Sequence, residues 1–137
     1  DMTAQESLEL VRSLVDAFAK HDWDTMCEKC APDIRWNPPL SNGIVPYNRP
    51  WIGHDGAKQY CQMLTSALEW EAFDVPKMVA DDNGNVAMLG YETFTVKATG
   101  KRMENVFLAL YKIRDGLVTE FNFCENTELL SAGFIAS

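Results

Sequence analysis

Residues 86–126 constrain the fold of this 137-residue chain more than any other stretch. Three apolar segments of strand length follow one another there, and Asp115-Gly116 separates the last two. Asp and Gly tolerate the positive φ angles that a two-residue type I′ turn requires, so the pair predicts a tight hairpin. The sequence therefore predicts three consecutive strands, over residues 86–96, 103–113 and 117–126.

The turns also predict how the strands pair. The second hairpin would place Phe107 opposite Cys124, and a first turn centred on Thr99-Gly100 would place Glu92 opposite Phe107. Because side chains alternate along a strand, this register assigns the side chains to two faces of the sheet. Neither face is polar enough to be exposed to water. One face is apolar and is expected to meet a partner: Leu89, Tyr91, Val106, Leu108, Leu110, Phe121 and Phe123. The other mixes aromatic, small and polar residues and is expected to line a ligand cavity: Met88, Gly90, Glu92, Phe94, Asn105, Phe107, Ala109, Asn122, Cys124 and Asn126. A sheet buried on both sides, with a few satisfied polar groups, is the alternative.

Composition and charge exclude several classes of function. The length predicts a single domain over residues 1–137, and 47% hydrophobic residues are typical of a globular protein. A net charge of −8 argues against nucleic acid or an anionic membrane as a partner. No segment resembles a membrane span or a signal peptide, so the expected location is the cytoplasm. Cys27 and Cys30 are spaced like half a zinc site, but the other half is missing, which favours reduced thiols and no metal.

Outside this stretch the sequence predicts three helices, a short strand and a longer one. A capping box at Thr3 and Glu6 opens an amphipathic helix that runs to about Lys20. The other predicted elements are a short helix capped by Asp22 or Asp24, a strand over 33–37, a helix over 56–68 capped by Asp55, and a strand over 73–80 that Pro76 places at a sheet edge or a bulge.

The segment 40–51 is a loop marked by Asn42-Gly43, yet it carries several large apolar residues. A loop of this kind folds over something more often than it extends into water, so a lid or rim over the cavity is one interpretation. A packed structural loop is the other.

The element order and several local patterns resemble the SnoaL-like branch of the nuclear-transport-factor-2-like (NTF2-like) cones, which is related to ketosteroid isomerases and polyketide cyclases. The resemblance rests on Lys20-His21-Asp22-Trp23-Asp24, on residues 30–38 (CAPDIRWNP), on residues 51–56 (WIGHDG) and on residues 115–121 (DGLVTEF). It implies an α+β fold, with N-terminal helices packed on a curved, mainly antiparallel mixed sheet around an apolar pocket, and a homodimer through the other sheet face. In ketosteroid isomerases the base carboxylate stands where this chain has Asn37, and the central-strand Asp of limonene-epoxide-hydrolase relatives falls at Glu92.

Glu92 is the candidate catalytic residue. A carboxylate flanked by Met88, Phe94 and Phe107 would be desolvated, which raises its pKa and suits a general base near neutral pH. A glutamate paired with Arg102 or a lysine at a wet sheet edge is the alternative. The candidate substrate-binding residues are Asn37, Tyr47, Trp51, Met88, Phe94, Asn105, Phe107, Tyr111, Asn122 and Asn126.

Two classes of function follow. The first is an enzyme of isomerase, cyclase or hydrolase type that needs no cofactor and acts on a small lipophilic carbonyl or epoxide compound by general-base chemistry. The second is a non-catalytic cone of the same fold that binds a lipophilic ligand or serves as a dimerisation module. Glu92 has no evident acid partner in the sequence, which keeps the second class open.

Overall fold

The computed structural model describes residues 2–40 and 43–137 of the chain. Within them four helices pack against one mixed sheet of six strands. The helices are α1 (Ala4–Ala19), α2 (Trp23–Glu28), α3 (Gly53–Ala67) and α4 (Thr127–Gly133), and the strands are β1 (Cys30–Asn37), β2 (Trp51–Ile52), β3 (Leu68–Ala80), β4 (Asn85–Val96), β5 (Lys101–Arg114) and β6 (Leu117–Glu125). This is the α+β cone that the resemblance implies.

The sheet is open and has the strand order β2-β1-β6-β5-β4-β3. Only β1 and β6 run parallel; every other neighbouring pair is antiparallel. Helix α1 packs against β3 and β4, and α3 packs against β1. Both helices cover the same face of the sheet, which we call the concave face; the opposite face is the convex face. The core of the protein therefore lies between the helices and the concave face.

The predicted helix starts are confirmed for α1 and α2 but not for α3. Thr3 and Glu6 form the capping box of α1, and the Asp22 carboxylate accepts a hydrogen bond from the backbone N–H of Thr25. The prediction that Asp55 caps α3 is wrong, because the helix begins earlier, at Gly53, and Asp55 lies in its first turn.

No helix of the described residues is long and apolar enough to span a membrane.

Strand β3 is longer than predicted and begins at Leu68, directly after α3. It lies at the edge of the sheet, and its register with β4 shifts between Asp74 and Lys77, around Pro76. Proline cannot donate to the ladder, so an edge position with an irregularity is where it can be accommodated. The prediction made from Pro76 is confirmed.

The hairpin between β4 and β5 is shifted by two residues from its predicted register. The closing pair is Val96 with Lys101, so four residues form the loop, and Glu92 lies opposite Asn105 instead of Phe107. A shift by an even number leaves every side chain on its predicted face. Met88, Gly90, Glu92 and Phe94 therefore share the concave face, as expected.

The hairpin between β5 and β6 begins as predicted and then departs from its predicted register. Asp115 and Gly116 have φ angles of 53° and 78° and form the two-residue turn. A β-bulge follows, because Ile113 pairs with Val118 but Lys112 pairs with Glu120, and Thr119 is left between them.

The bulge reverses the face of every later residue in β6. Phe121 lies opposite Tyr111 and Phe123 opposite Ala109, so both phenylalanines belong to the concave face and not to the partner face. Asn122 and Cys124 move correspondingly to the convex face. The predicted pairing of Phe107 with Cys124 is wrong, since one inserted residue inverts the alternation of a strand.

Candidate functional site

A cavity lies between the concave face and the helices. It has a volume of about 60 Å³, and the free space reaches about 650 Å³ when its narrow crevices and open mouth are included. Helix α1 contributes Leu14, Val15 and Phe18, α3 contributes Tyr60 and Leu64, and the chain before β2 contributes Tyr47. Aromatic side chains form most of the wall, and two carboxylates, Glu92 and Glu125, are part of it.

Glu92 stands in the middle of β4 and accepts two hydrogen bonds from neutral groups. The Trp70 indole Nε1–H donates to its Oε1 atom at 2.8 Å, and the Asn105 amide donates to Oε2 at 3.2 Å. Burial raises the pKa of the Glu92 carboxyl, while the two hydrogen bonds oppose this rise. Arg102 is not its partner, because that guanidinium binds Glu71 and Glu104 instead.

Glu125 is the second carboxylate of the cavity and shares a hydrogen-bond donor with the first. The Asn105 Nδ2 atom lies 2.9 Å from Glu125 Oε2, so a single amide group bridges the two glutamates. Burial raises the pKa of Glu125 to about 7, and the neighbouring negative charge of Glu92 adds to this rise. Two carboxylates this close disfavour simultaneous ionisation, so they titrate as an unequal pair.

The sequence interpretation missed Glu125 because it rests on the register of β6. Counting from the Asp115-Gly116 turn put Glu125 on the partner face, where a glutamate is ordinarily solvated or interfacial. The bulge at Thr119 turns it towards the cavity. Nothing in the local sequence marks that bulge, since the strand after it is as apolar as the strand before it.

Several predicted binding residues are brought together around the pair. Met88, Phe94, Phe107, Tyr111 and Tyr47 line the cavity, and Asn105 is 6% exposed between the two carboxylates. Burial raises the pKa values of the Tyr47 and Tyr111 hydroxyl groups, so both are neutral donors at physiological pH. Their role in binding a substrate stays a prediction.

Other predicted binding residues lie outside the cavity. Asn37 and Asn122 pair across β1 and β6 on the convex face, where the Asn37 amide donates to Asn122 Oδ1 at 3.2 Å. Asn126 caps α4 by accepting from the backbone N–H of Leu129 at 3.0 Å. Trp51 is buried beneath the Arg49 guanidinium and donates its indole N–H to the Tyr47 carbonyl oxygen. None of these four side chains contacts the cavity.

In the predicted loop over residues 40–51, the described residues from Val45 to Trp51 include packed side chains, and Tyr47 contributes to the cavity wall. Val45 and Tyr47 are each 2% exposed, and Tyr47 packs edge-on against Tyr60 of α3. Asn42, part of the predicted turn signal, lies outside the described residues. Asn48, the residue after Tyr47, is buried, and a hydrogen bond from its side chain lowers the pKa of Glu125.

Glycine at position 90 makes room for the aromatic floor of the cavity. A Cβ atom built on Gly90 would lie 2.0 Å from the Phe107 ring on the adjacent strand. Phe107 in turn contacts the Phe73 and Phe123 rings. Any larger residue at position 90 would displace this ring from its place beside Glu92.

Metal ligands do not converge in the described part of the chain, where no group of three or more His, Cys, Asp or Glu side chains could hold an ion. All four cysteines are free. Burial raises the pKa of the Cys27 thiol above its usual range, and it raises the pKa of the Cys30 thiol to about 12. Both thiols are therefore protonated and unreactive at neutral pH.

The sequence profile of the SnoaL-like domain family matches residues 11–121. The chain belongs to this family. No curated protein matches it significantly. Among solved structures, an NTF2-like protein from Burkholderia xenovorans has a TM-score of 0.87 at 22% identity, with 98% of this chain and 100% of that chain covered.

Two further proteins of similar structure are named after an enzyme activity. A protein from Jannaschia sp., assigned as a SnoaL-like polyketide cyclase, has a TM-score of 0.82 at 16% identity and covers 100% of this chain and 96% of its own. An epoxide hydrolase of the limonene-epoxide-hydrolase-like type from M. tuberculosis has a TM-score of 0.72 at 13% identity, with 96% and 90% covered. At these identities the likeness is one of fold, and the NTF2-like fold predicted for this SnoaL-like chain is confirmed.

Proposed function

We propose that this SnoaL-like protein is an acid–base enzyme that transfers protons on a small lipophilic carbonyl compound, without a cofactor. The observation that carries the proposal is the Glu92–Glu125 pair, two carboxylates held by one amide inside an aromatic cavity. Pairs whose surroundings separate their pKa values divide naturally into an acid and a base.

The hydrogen bonds support different roles for the two glutamates in this proposal. Glu92 accepts from both Trp70 and Asn105, and these two bonds stabilise its charged form. Glu125 accepts from Asn105, and its pKa of about 7 leaves about half of the Glu125 carboxyl groups protonated at neutral pH, far more than for an ordinary glutamate. Glu92 is therefore the base and Glu125 is the acid.

The resulting step balances without a further reactant. The Glu92 carboxylate takes a proton from the carbon next to the carbonyl group, and the electrons of that C–H bond form a C=C bond. The carbonyl oxygen takes the proton of Glu125, which leaves an enol, a neutral Glu92 and an ionised Glu125. Where the enol is conjugated with a further C=C bond, return of the proton from Glu92 to the far carbon, with loss of the enol proton to Glu125, gives isomerisation. Attack of the enol carbon on a second carbonyl group of the same molecule gives cyclisation, in which Glu125 takes back the enol proton and Glu92 protonates the new alkoxide.

Exchange of α-protons for deuterium tests this step without knowledge of the natural substrate. Acetophenone and cyclohexanone in deuterium oxide serve as probes, and NMR follows the loss of their α-proton signals. The parent protein should accelerate exchange, and Glu92→Gln should reduce that acceleration by roughly a hundredfold or more. Glu69→Gln is the matched control, since Glu69 is an exposed glutamate on neighbouring β3.

If the parent exchanges neither ketone faster than Glu92→Gln does, the acid–base proposal fails. Chemical shift changes of the cavity residues on addition of acetophenone would then favour a non-catalytic binding module.

The same pair supports a reaction on epoxides only if a water molecule stands between Glu92 and the ring. Glu125 would then protonate the epoxide oxygen while Glu92 activates the water. The cavity wall next to Glu92 is formed by the Phe94 and Phe107 rings, which favours the drier carbonyl reaction. Hydrolysis of styrene oxide in the same assay distinguishes the two substrate classes.

A further inference from the structure

The wall of the cavity combines aromatic rings with two carboxylates and has no basic side chain. More than half of its lining residues are aromatic, and Glu92 and Glu125 are its acidic members. None of the lining residues that the structure describes is a lysine, an arginine or a histidine. The negative charge of the carboxylate pair therefore has no counter-charge in the cavity wall.

Aromatic residues flank both carboxylates on the concave face. Phe107 lies directly opposite Glu125 across β5 and β6, a position in which the two Cβ atoms are about 5 Å apart. Phe94 follows Glu92 by two residues on β4 and therefore shares its face. The Phe107 and Phe123 rings stack with their centroids 5.1 Å apart. Rings and carboxylates thus line the same space.

Basic side chains of β5 pair with carboxylates outside the cavity. Arg102 binds Glu71 and Glu104, and Lys112 lies 3.1 Å from Glu120. Burial raises the pKa of both cavity carboxyl groups, and the groups that oppose this rise are neutral amides and an indole. Because a desolvated charge is ordinarily paired with an opposite charge, a cation is the group that this wall lacks.

We propose that the cavity binds a small lipophilic amine in its positively charged form. The ammonium group would lie between the carboxylate pair and the aromatic rings, both of which attract a positive charge. The face of an aromatic ring is negative, and aromatic cages recognise quaternary ammonium groups for this reason. A carboxylic acid or a phosphate ester would be repelled by the same wall.

The inference rests on the proposed function only in placing the substrate of that reaction in this cavity. The substrate class is then an amino ketone, whose single positive charge balances the ionised Glu92 carboxylate while Glu125 keeps its proton. An ammonium group beside the carbonyl also withdraws electrons from the C–H bond that Glu92 breaks, which makes that proton more acidic. The net charge of −8 favours the approach of such a cation.

Two probes of the same shape separate the effect of charge from that of hydrophobicity. Benzyltrimethylammonium carries a permanent positive charge, and neopentylbenzene has a neutral carbon atom in place of the nitrogen. NMR titration of the protein measures both affinities at neutral pH and physiological salt. The parent protein should bind the cation about tenfold more tightly than its neutral isostere, or better.

Removal of both cavity carboxylates tests whether they are the source of this preference. The double variant Glu92→Gln/Glu125→Gln should lose most of it, because only the aromatic rings remain to attract the cation. Glu69→Gln/Glu128→Gln is the matched control, since it changes the net charge by the same amount at two exposed positions. The control should retain the parental preference.

The pH dependence of binding gives a second readout that needs no variant. Benzyltrimethylammonium does not titrate, so any dependence comes from the titratable groups of the wall, which are the two glutamates and Tyr47, Tyr60 and Tyr111. The tyrosines stay neutral, because burial raises their pKa values further. The pKa of Glu125 is about 7, so the affinity for the cation should rise as pH increases through that value and then level off. The affinity for neopentylbenzene should not rise.

Equal affinities for the two probes in the parent would overturn the inference. A preference that persists in Glu92→Gln/Glu125→Gln, or an affinity for the cation that does not rise with pH, would also overturn it. The deuterium exchange assay is decided separately, because its ketones are neutral. Exchange without a preference for the cation would support the proposed function and reject the amine, and a preference without exchange would do the reverse.

Discussion

The two faces of the central sheet are built from similar residue types but have opposite surroundings. On β5, Phe107 and Tyr111 of the concave face are 2% and 3% exposed, whereas Leu108 between them is 58% exposed on the convex face. The difference comes from what covers each face, because α1 and α3 pack on the concave side. Hydrophobicity alone therefore does not tell which face of a strand becomes a binding site.

The surroundings of the carboxylates also differ between the water-exposed surface and the covered concave face. Glu71 and Glu104 surround the Arg102 guanidinium in water. Glu92 and Glu125 on the concave face receive hydrogen bonds from the neutral Trp70 and Asn105 side chains. Burial without a cation raises carboxyl pKa values, which makes the concave pair suitable for proton transfer.

Truncation of alternate residues of β5 compares the two faces directly. Phe107→Ala should lower the free energy of unfolding by about 3–5 kcal/mol, because it leaves a hole among aromatic rings. Leu108→Ala, one residue later and largely exposed on the subunit, should lower it by less than about 1 kcal/mol when the subunit is monomeric. Denaturant unfolding measures both changes in the Leu110→Glu variant, whose charge on the convex face should keep the subunits apart. Comparable losses at the two positions in that variant would contradict the difference between the two faces.

The charge of the concave pair should appear in the pH dependence of stability. The pKa of Glu125 is raised from 4.5 to about 7 in the folded protein, so the folded state binds the extra proton. The free energy of unfolding should fall by roughly 3 kcal/mol in total as the pH rises through this interval, and it should level off above it.

Glu125→Gln should remove most of this dependence and be more stable than the parent at about pH 8. Thermal melts from about pH 4 to about pH 8 measure the effect. Glu69→Gln is the control and should keep the parental dependence. A Glu125→Gln variant that is less stable than the parent at the upper end would show that the carboxylate is stabilising there, contrary to its assigned environment.

The smallest effect on subunit stability is expected on the convex face. Tyr91, Val106, Leu108 and Leu110 remain exposed together there, and we propose that they form a homodimer interface. Leu110→Glu should separate the subunits while changing their intrinsic stability by about 0.5 kcal/mol or less. Sedimentation velocity tests this proposal, and a parent protein that is already monomeric at about ten micromolar would refute it.

The sequence by itself determined the fold class and the strands that carry the site. Period-two alternation, the capping box at Thr3 and the Asp115-Gly116 turn are local signals, and each depends on residues close together in the chain. Glu92, Met88 and Phe94 were placed on the correct face for the same reason. The predicted register of the β4–β5 hairpin was wrong by two residues, but the predicted faces were still correct, since side chains on the same face recur at every second residue.

Only the tertiary structure decided which second carboxylate lies beside Glu92 and which residues lie outside the cavity. The bulge at Thr119 lets Val118 and Phe121 both be buried, at 0% and 5% exposure, so the packing of the whole core determines where it occurs. That single insertion brought Glu125 to Glu92 and sent Asn122 to the opposite face. Register and burial are collective properties of the packed molecule, and local patterns determine them only as far as the first irregularity in a strand.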